Sequence, residues 1–217
     1  MKTFIIESPN PNDLLDERNE AGSLVNICRM FSHKATSFLV KSKDGFTEAI
    51  DYICDIELED KDLLCLHLSC HGNEDGLAFG KDFINWGQLG TCLMGFISES
   101  RFRNKYILVI SACGANDQNL TKKLSRLDKN LRNKIAPPSY VFVYDETEVP
   151  WKDALLSWTI LYHQLSNLKS LDKDEVQLIL GNIKSGHFGK LMYFRWDFGT
   201  QKYMRFRPQD KSKDAEV

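Results

Sequence analysis

Apolar stretches of two kinds alternate along the chain, and the alternation predicts strands followed by helices. Thr3 to Glu7 reads as a short apolar strand ended by the turn cluster SPNPND. From Asn12 onward Leu14, Leu15, Ala21, Leu24, Val25, Cys28 and Phe31 recur at helical spacing, which predicts one amphipathic helix with acidic residues early, where the helix dipole favours them. TSFLVK (36–41) is a second strand, and DGFTEAIDYICDI sets Phe46, Ala49, Ile50 and Ile53 on one helical face. Leu63 to Leu68 is a third strand. It is apolar at nearly every position, as expected where helices cover both faces of a parallel sheet.

Turn residues around two short apolar segments in NEDGLAFGKDFINW predict a small β-hairpin, after which Asn85 caps a short helix running to Leu93. Tyr106 to Ile110 is a fourth core strand. Leu120, Leu124, Leu127 and Leu131 form the stripe of the next helix. Its opposite face, with Lys122, Lys123, Arg126, Lys129, Arg132 and Lys134, reads as a solvated basic face. SYVFVYD is a fifth strand, and Pro150 suits the first turn of a long helix through VPWKDALLSWTILYHQLSNL. A helix over Lys173 to Ile183 and a strand pair complete the pattern. Alternating strands and helices with short connections predict an α/β fold, a mainly parallel central sheet flanked by helices on both faces. Residues 1–208 form one domain in this reading, and the polar stretch 209–217 a disordered tail.

Composition narrows the functional classes. The 217 residues carry 28 Lys and Arg against 30 Asp and Glu, a net charge of −2, so no basic balance points to nucleic acid or an anionic membrane. Apolar runs are of strand length, none spans a bilayer, and the first is too short for a signal peptide, so a cytoplasmic location is expected. The six cysteines contain no C-x-x-C pair, so neither a zinc site nor a disulfide framework is expected, and no cofactor is implied. No phosphate-loop pattern follows a strand.

Two polar residues at the ends of apolar runs carry the chemistry. In parallel sheets, reactive groups gather beyond the carboxyl ends of the strands. His71 stands just past the third strand and Cys113 just past the fourth, and consecutive strands are often spatial neighbours. An imidazole beside a thiol can take its proton and later return one to a leaving amine. Gly72 and Gly114 follow the two residues, and bare backbone N–H groups at such corners can bind an oxyanion. His67, inside its strand, reads as a satisfied core histidine.

The segments LLCLHLSCHGNEDGLAF and YILVISACGAN resemble the two signature segments of the caspase-like cysteine peptidases of clan CD, in particular the CHAT branch related to separases and metacaspases. The stretch YVFVYDETEVPWKDALLSWTILYHQL is similar to the CHAT segment in which a strand meets an acidic turn and then a helix. The resemblance implies a caspase-like sandwich, with Cys113 as nucleophile, His71 as base or acid, and the Gly72 and Cys113 N–H groups as the oxyanion hole. Asp145, Glu146 and Glu148 sit past the carboxyl end of the fifth strand, where a carboxylate could pair with a substrate Lys or Arg, and the resemblance favours Asp145 among them, although these acids could equally cap the following helix.

Departures from the family pattern matter. Cys70 occupies the place of a glycine in the usual Ser-Gly-His-Gly corner, where it crowds the site or offers a second thiol. The Gln-Ala-Cys-x-Gly of true caspases is replaced by Ser111-Ala112-Cys113-Gly114-Ala115, which does not support cleavage after aspartate. The acidic residue that metacaspases place just before the nucleophile is missing as well. The expectation is a cysteine endopeptidase acting on protein or peptide substrates through a His-Cys dyad, controlled by a regulatory partner or self-assembly, and at family level an effector in bacterial defence. The alternative is a catalytically inactive caspase-like adaptor acting through protein association.

Overall fold

Helical crossovers between successive strands force those strands to run parallel, and the central sheet is built this way. The computed structural model describes residues 1–59, 62–116, 119–125, 137–168 and 171–208. In chain order the first elements are β1 (Lys2–Ser8), α1 (Pro11–Leu15), α2 (Glu20–Met30), β2 (Lys34–Leu39), α3 (Lys43–Cys54) and β3 (Leu64–Cys70). A small subdomain follows, with β4 (Gly72–Asn73), β5 (Gly76–Phe79), β6 (Asp82–Asn85), α4 (Trp86–Cys92) and α5 (Met94–Ser98). The rest comprises β7 (Tyr106–Ser111), α6 (Asn119–Ser125), β8 (Tyr140–Tyr144), α7 (Trp151–Ser166), α8 (Lys173–Ser185), β9 (Leu191–Asp197) and β10 (Lys202–Phe206).

The seven-stranded sheet has the order β10-β9-β8-β7-β3-β1-β2. Strands β2, β1, β3, β7 and β8 are mutually parallel, whereas β9 and β10 pair antiparallel. Alternation within β7 shows why both faces are dry. Tyr106, Leu108 and Ile110 pack with Phe46 and Ile50 of α3 and Leu120 and Leu124 of α6, while Ile107 and Val109 join Leu24 and Cys28 of α2, Trp158 and Leu161 of α7 and Ile179 of α8. The mainly parallel sheet between helical layers is thus the architecture expected from the sequence. The helix stripe at Leu127 and Leu131 and the basic residues Arg126, Lys129, Arg132 and Lys134 lie outside the described residues, as does the 209–217 tail.

One element differs from expectation. The single helix expected from Asn12 is two helices, and the bend between them builds the site. Asn10 caps α1 in a reciprocal box with Asp13, Glu17 takes a positive φ of 54°, and Asn19 opens α2 by accepting from the Gly22 N–H at 2.6 Å. Leu14 and Leu15 therefore leave the stripe, and Leu15 is 81% exposed. Apolar spacing alone could not register two polar caps that each satisfy a new helix start.

The second helix is docked by an acid from the sheet. Glu7, buried near the end of β1, accepts the Glu20 N–H at 2.8 Å and the Ala21 N–H at 3.3 Å, so two unsatisfied donors of the α2 N-terminus end on one carboxylate. Burial pushes the Glu7 carboxyl up to about 7, against those two hydrogen bonds. A raised acid keeps in the folded chain a proton that the unfolded chain releases. The contribution of Glu7 to stability therefore declines from pH 4.5 to about 7 and is flat above that. Urea midpoints across that window should show the decline in wild type and a shallower one in Glu7→Gln; equal slopes would contradict the assignment.

Candidate active site

The ladder between β3 and β7 sets the first coordinate of the site. Leu64 pairs with Tyr106 and Ser69 with Ser111, an offset of 42 at both ends. His71 and Cys113 are separated by the same interval, 113 − 71 = 42, each two residues beyond the last pair. The parallel register thus brings the two residues to matching positions at the carboxyl edge, and both line one cleft of about 460 Å³.

Close backbone packing holds the two corners. The Ala78 N–H donates to the His71 carbonyl at 2.8 Å, tying this corner to the small sheet β4-β5-β6. A Cβ added to Gly72 would lie 3.0 Å from the Cys113 carbonyl oxygen. Gly114 has φ +72°, and a Cβ there would lie 2.4 Å from the Asn73 carbonyl carbon and 2.6 Å from the Glu74 nitrogen. The Gly114 N–H is spent on the Thr147 carbonyl at 3.1 Å, so this donor is already committed.

His71 is held from the side that the sequence reading passed over. Asp13, whose side chain is 1% exposed, places Oδ2 at 2.6 Å from His71 Nε2. Burial alone would raise the Asp13 carboxyl, but hydrogen bonds from His71, the Asn10 N–H and Arg18 overcome it and hold the group below the usual carboxylate range. An ionised Asp13 accepts only, so the proton sits on Nε2 and leaves Nδ1 as the basic nitrogen. Asn10 Nδ2 lies 2.9 Å from the same Nε2, a second polar contact to this ring nitrogen. The Trp151 ring flanks His71 edge-on, with centroids 6.4 Å apart. The signal for Asp13 was present as Asn10-Pro-Asn-Asp13, a capping-box spacing in what read as a simple turn.

Under the cleft lies a buried polar network. Glu20, the first residue of α2, is 2% exposed; its Oε1 accepts from His67 Nε2 at 2.8 Å and its Oε2 from the Ser111 hydroxyl at 3.1 Å. Trp158 Nε1 donates to Ser111 Oγ at 2.8 Å, and His67 Nδ1 is hydrogen-bonded with the Tyr162 hydroxyl at 2.6 Å. His67 is the satisfied core histidine expected from its place within β3.

The remaining expected residues fall as follows. Cys113 is half-buried, whereas Cys70 is buried at the cleft wall and burial drives its thiol far above the usual range, so Cys70 offers no thiolate at neutral pH. Asp145 and Glu146 do not reach the cleft lining: Asp145 is ion-paired with Arg207 at 2.7 Å and Glu146 with Lys190 at 3.1 Å. The acids that do line it are Glu20 and the exposed Glu148. Among the described residues no group of three or more His, Cys, Asp or Glu side chains is placed to hold a metal ion, and no helix is long and apolar enough to cross a membrane.

A strand order of this kind, with two consecutive parallel strands ending in a His-Gly and a Cys-Gly corner, defines a caspase-like fold, and comparison with solved structures agrees. Caspase-1 from Spodoptera frugiperda superposes with a TM-score of 0.54 at 12% identity, covering 84% of this chain and 75% of that one. A secreted C11 cysteine protease, iotapain, from Bacteroides thetaiotaomicron gives a TM-score of 0.52 at 8% identity, covering 89% of this chain and 66% of that one. No protein-family model and no curated protein matches the chain. At such identities the likeness establishes the fold, and the site must supply the chemistry.

Proposed function

We propose that this protein is a cysteine endopeptidase whose nucleophile is Cys113 and whose base is His71. The observation that carries the reading is the hydrogen bond that His71 Nε2 donates to Asp13, on a histidine whose step beyond β3 matches that of Cys113 beyond β7. With Nε2 protonated and anchored, Nδ1 takes the thiol proton and the Asp13 charge stabilises the imidazolium that results. The Cys113 thiolate attacks the peptide carbonyl, and the Gly72 and Cys113 N–H groups receive the oxyanion. As the intermediate collapses the C–N bond breaks and His71 returns the proton to the leaving amine. Water, deprotonated by His71, then hydrolyses the thioester and restores the thiol.

The similarity of the three motif segments supports placing the chain in the CHAT branch. Free-standing members of that branch suggest a cytoplasmic effector in bacterial defence, regulated by a partner or by self-assembly. Residues 1–208 act as one domain in this proposal.

Iodoacetamide alkylation of the whole chain, read by mass spectrometry against pH, tests the dyad without requiring a known substrate. Cys113 should be modified first among the six cysteines, with a rate near pH 7 about 10-fold above that of an ordinary thiol of pKa about 8.5, and His71→Ala should remove the advantage. Equal rates in wild type and His71→Ala would leave the inactive adaptor as the better reading.

A further inference from the structure

We infer that the outer edge of β2 is a docking surface for a second copy of this chain, the two β2 strands pairing antiparallel about a two-fold axis so that the two central sheets run on as one. This surface gives the self-assembly proposed above a location. Oligomeric state is read without activity, so the result is independent of the dyad.

Strand β2 closes one end of the sheet, with β1 on its inner side. The Lys34 N–H donates to the Met1 carbonyl at 3.0 Å and the Val40 N–H to the Glu7 carbonyl at 2.9 Å. Backbone groups alternate in an extended strand, so Lys34, Thr36, Phe38 and Val40 turn theirs toward β1, and Ala35, Ser37 and Leu39 turn theirs outward. This outward edge is guarded at both ends. Arg29 donates to the Ala35 carbonyl through Nε at 3.2 Å and Nη2 at 3.0 Å. The Lys41 carbonyl is packed so closely on Gly80 that a Cβ there would overlap it. Between the guards, the backbone groups of Ser37 and Leu39 have no partner among the described residues.

Two such residues, separated by one position, are complementary to themselves. An antiparallel two-fold centred on Phe38 sets Ser37 of each copy opposite Leu39 of the other, each pair exchanging both N–H···O bonds. No other two-fold register of this strand uses all the open groups and none of the guarded ones. Centring on Ser37 would set the capped Ala35 opposite Leu39, and centring on Leu39 would set Lys41 opposite Ser37. With the axis at Phe38 the two Phe38 rings meet as a close cross-strand aromatic pair. Each ring already has Tyr52 edge-on, with centroids 5.7 Å apart, on the wall of a groove of about 550 Å³ between β2 and α3. Tyr52 is 61% exposed and Leu39 58%, so apolar surface flanks the open edge. The opposite end of the sheet differs: β10 carries exposed Lys202 and Arg205, and like charges oppose self-pairing there.

Sedimentation velocity of the full chain from about 1 to about 500 µM, the range suited to a small interface, provides the test. Wild type should shift with concentration from the 25.0 kDa monomer to a dimer. Ser37→Pro removes an outward N–H that no bond within the chain uses, and Leu39→Lys puts a charge on the open edge; each should weaken the dimer by about 10-fold or more. Phe38→Cys should yield a disulfide-linked dimer under mild oxidation, because Cα atoms about 4.5 Å apart in such a pair lie within disulfide reach, whereas Thr36→Cys should not. A wild type that stays monomeric overturns the inference and leaves the groove to a foreign strand. A dimer that withstands both Ser37→Pro and Leu39→Lys lies on another surface and overturns it as well, and equal cross-linking at positions 36 and 38 overturns the register. If the proline variant fails to fold, wild type and Leu39→Lys still decide.

Discussion

Replacing Asp13 by Ala is expected to lower kcat/KM about 10²- to 10⁴-fold, the range in which a positioned proton-transfer group usually contributes. The substitution removes the 2.6 Å bond to His71 and the charge that stabilises its imidazolium, and it breaks the cap of α1. Asp13→Asn separates these effects. The same oxygen of Asp13 accepts from both His71 Nε2 and the Asn10 N–H, so an amide oxygen in its place preserves the tautomer and the cap. What it lacks is the negative charge. Without that charge the thiolate-imidazolium pair is less favourable, and the pH at which Cys113 becomes alkylated should move upward in Asp13→Asn. A merely structural role would change stability and leave that profile in place. A stability effect is also expected, with its own sign. The carboxyl is depressed below its ordinary 3.8, so its contribution is present above about pH 4 and is lost as the pH falls through the folded value.

Gly114→Ala should damage the fold and the proposed site together. A left-handed φ costs a non-glycine residue roughly 1–2 kcal/mol, before any account is taken of a Cβ driven into the backbone of Asn73 and Glu74. Neither side of the contact is a flexible side chain that could turn away. A loss of at least ~2 kcal/mol in urea unfolding is expected, together with loss of selective Cys113 alkylation as the two corners part. Gly181→Ala gives the opposite sign. Its Cβ in α8 would meet nothing within 4 Å, and alanine there should stabilise the helix by about 0.5–1 kcal/mol. Unchanged alkylation in a stable Gly114→Ala chain would show that the corner contact is dispensable.

Much of the fold was written in the hydrophobic pattern because the central strands are buried on both faces. Leu64 to Leu68 and Tyr106 to Ile110 are continuous apolar runs, so the residues that interrupt their ends, His71 and Cys113, stand out. The acids of the site carry no such contrast. Asp13 lies 58 residues from its partner and Glu20 follows an asparagine in a polar stretch, so both resemble the solvated acids common at helix starts. Glu7, polar at a buried strand position, was the clue that something in the first helix required an acceptor. Asp145 and Glu146 show the reverse case. They lie beyond the correct strand, but the antiparallel β9 and the segment after β10 bring Lys190 and Arg207 to them, and no local pattern announces cations from so far along the chain.

The constant offset of β3 against β7 bears on how this chain can diverge. Hydrogen bonds between two strands, and not the segment connecting them, set His71 and Cys113 at the same step beyond the last paired residues. Residues gained or lost between α4 and β7 alter the numbering and leave that step intact, whereas one residue inserted in β7 ahead of Ser111 carries the cysteine past its counterpart and turns alternate side chains to the opposite face. Descent among such proteins is therefore better traced by counting outward from the last paired residues of two neighbouring strands than by aligning the motifs, since drift is free in the connection and arrested in the ladder.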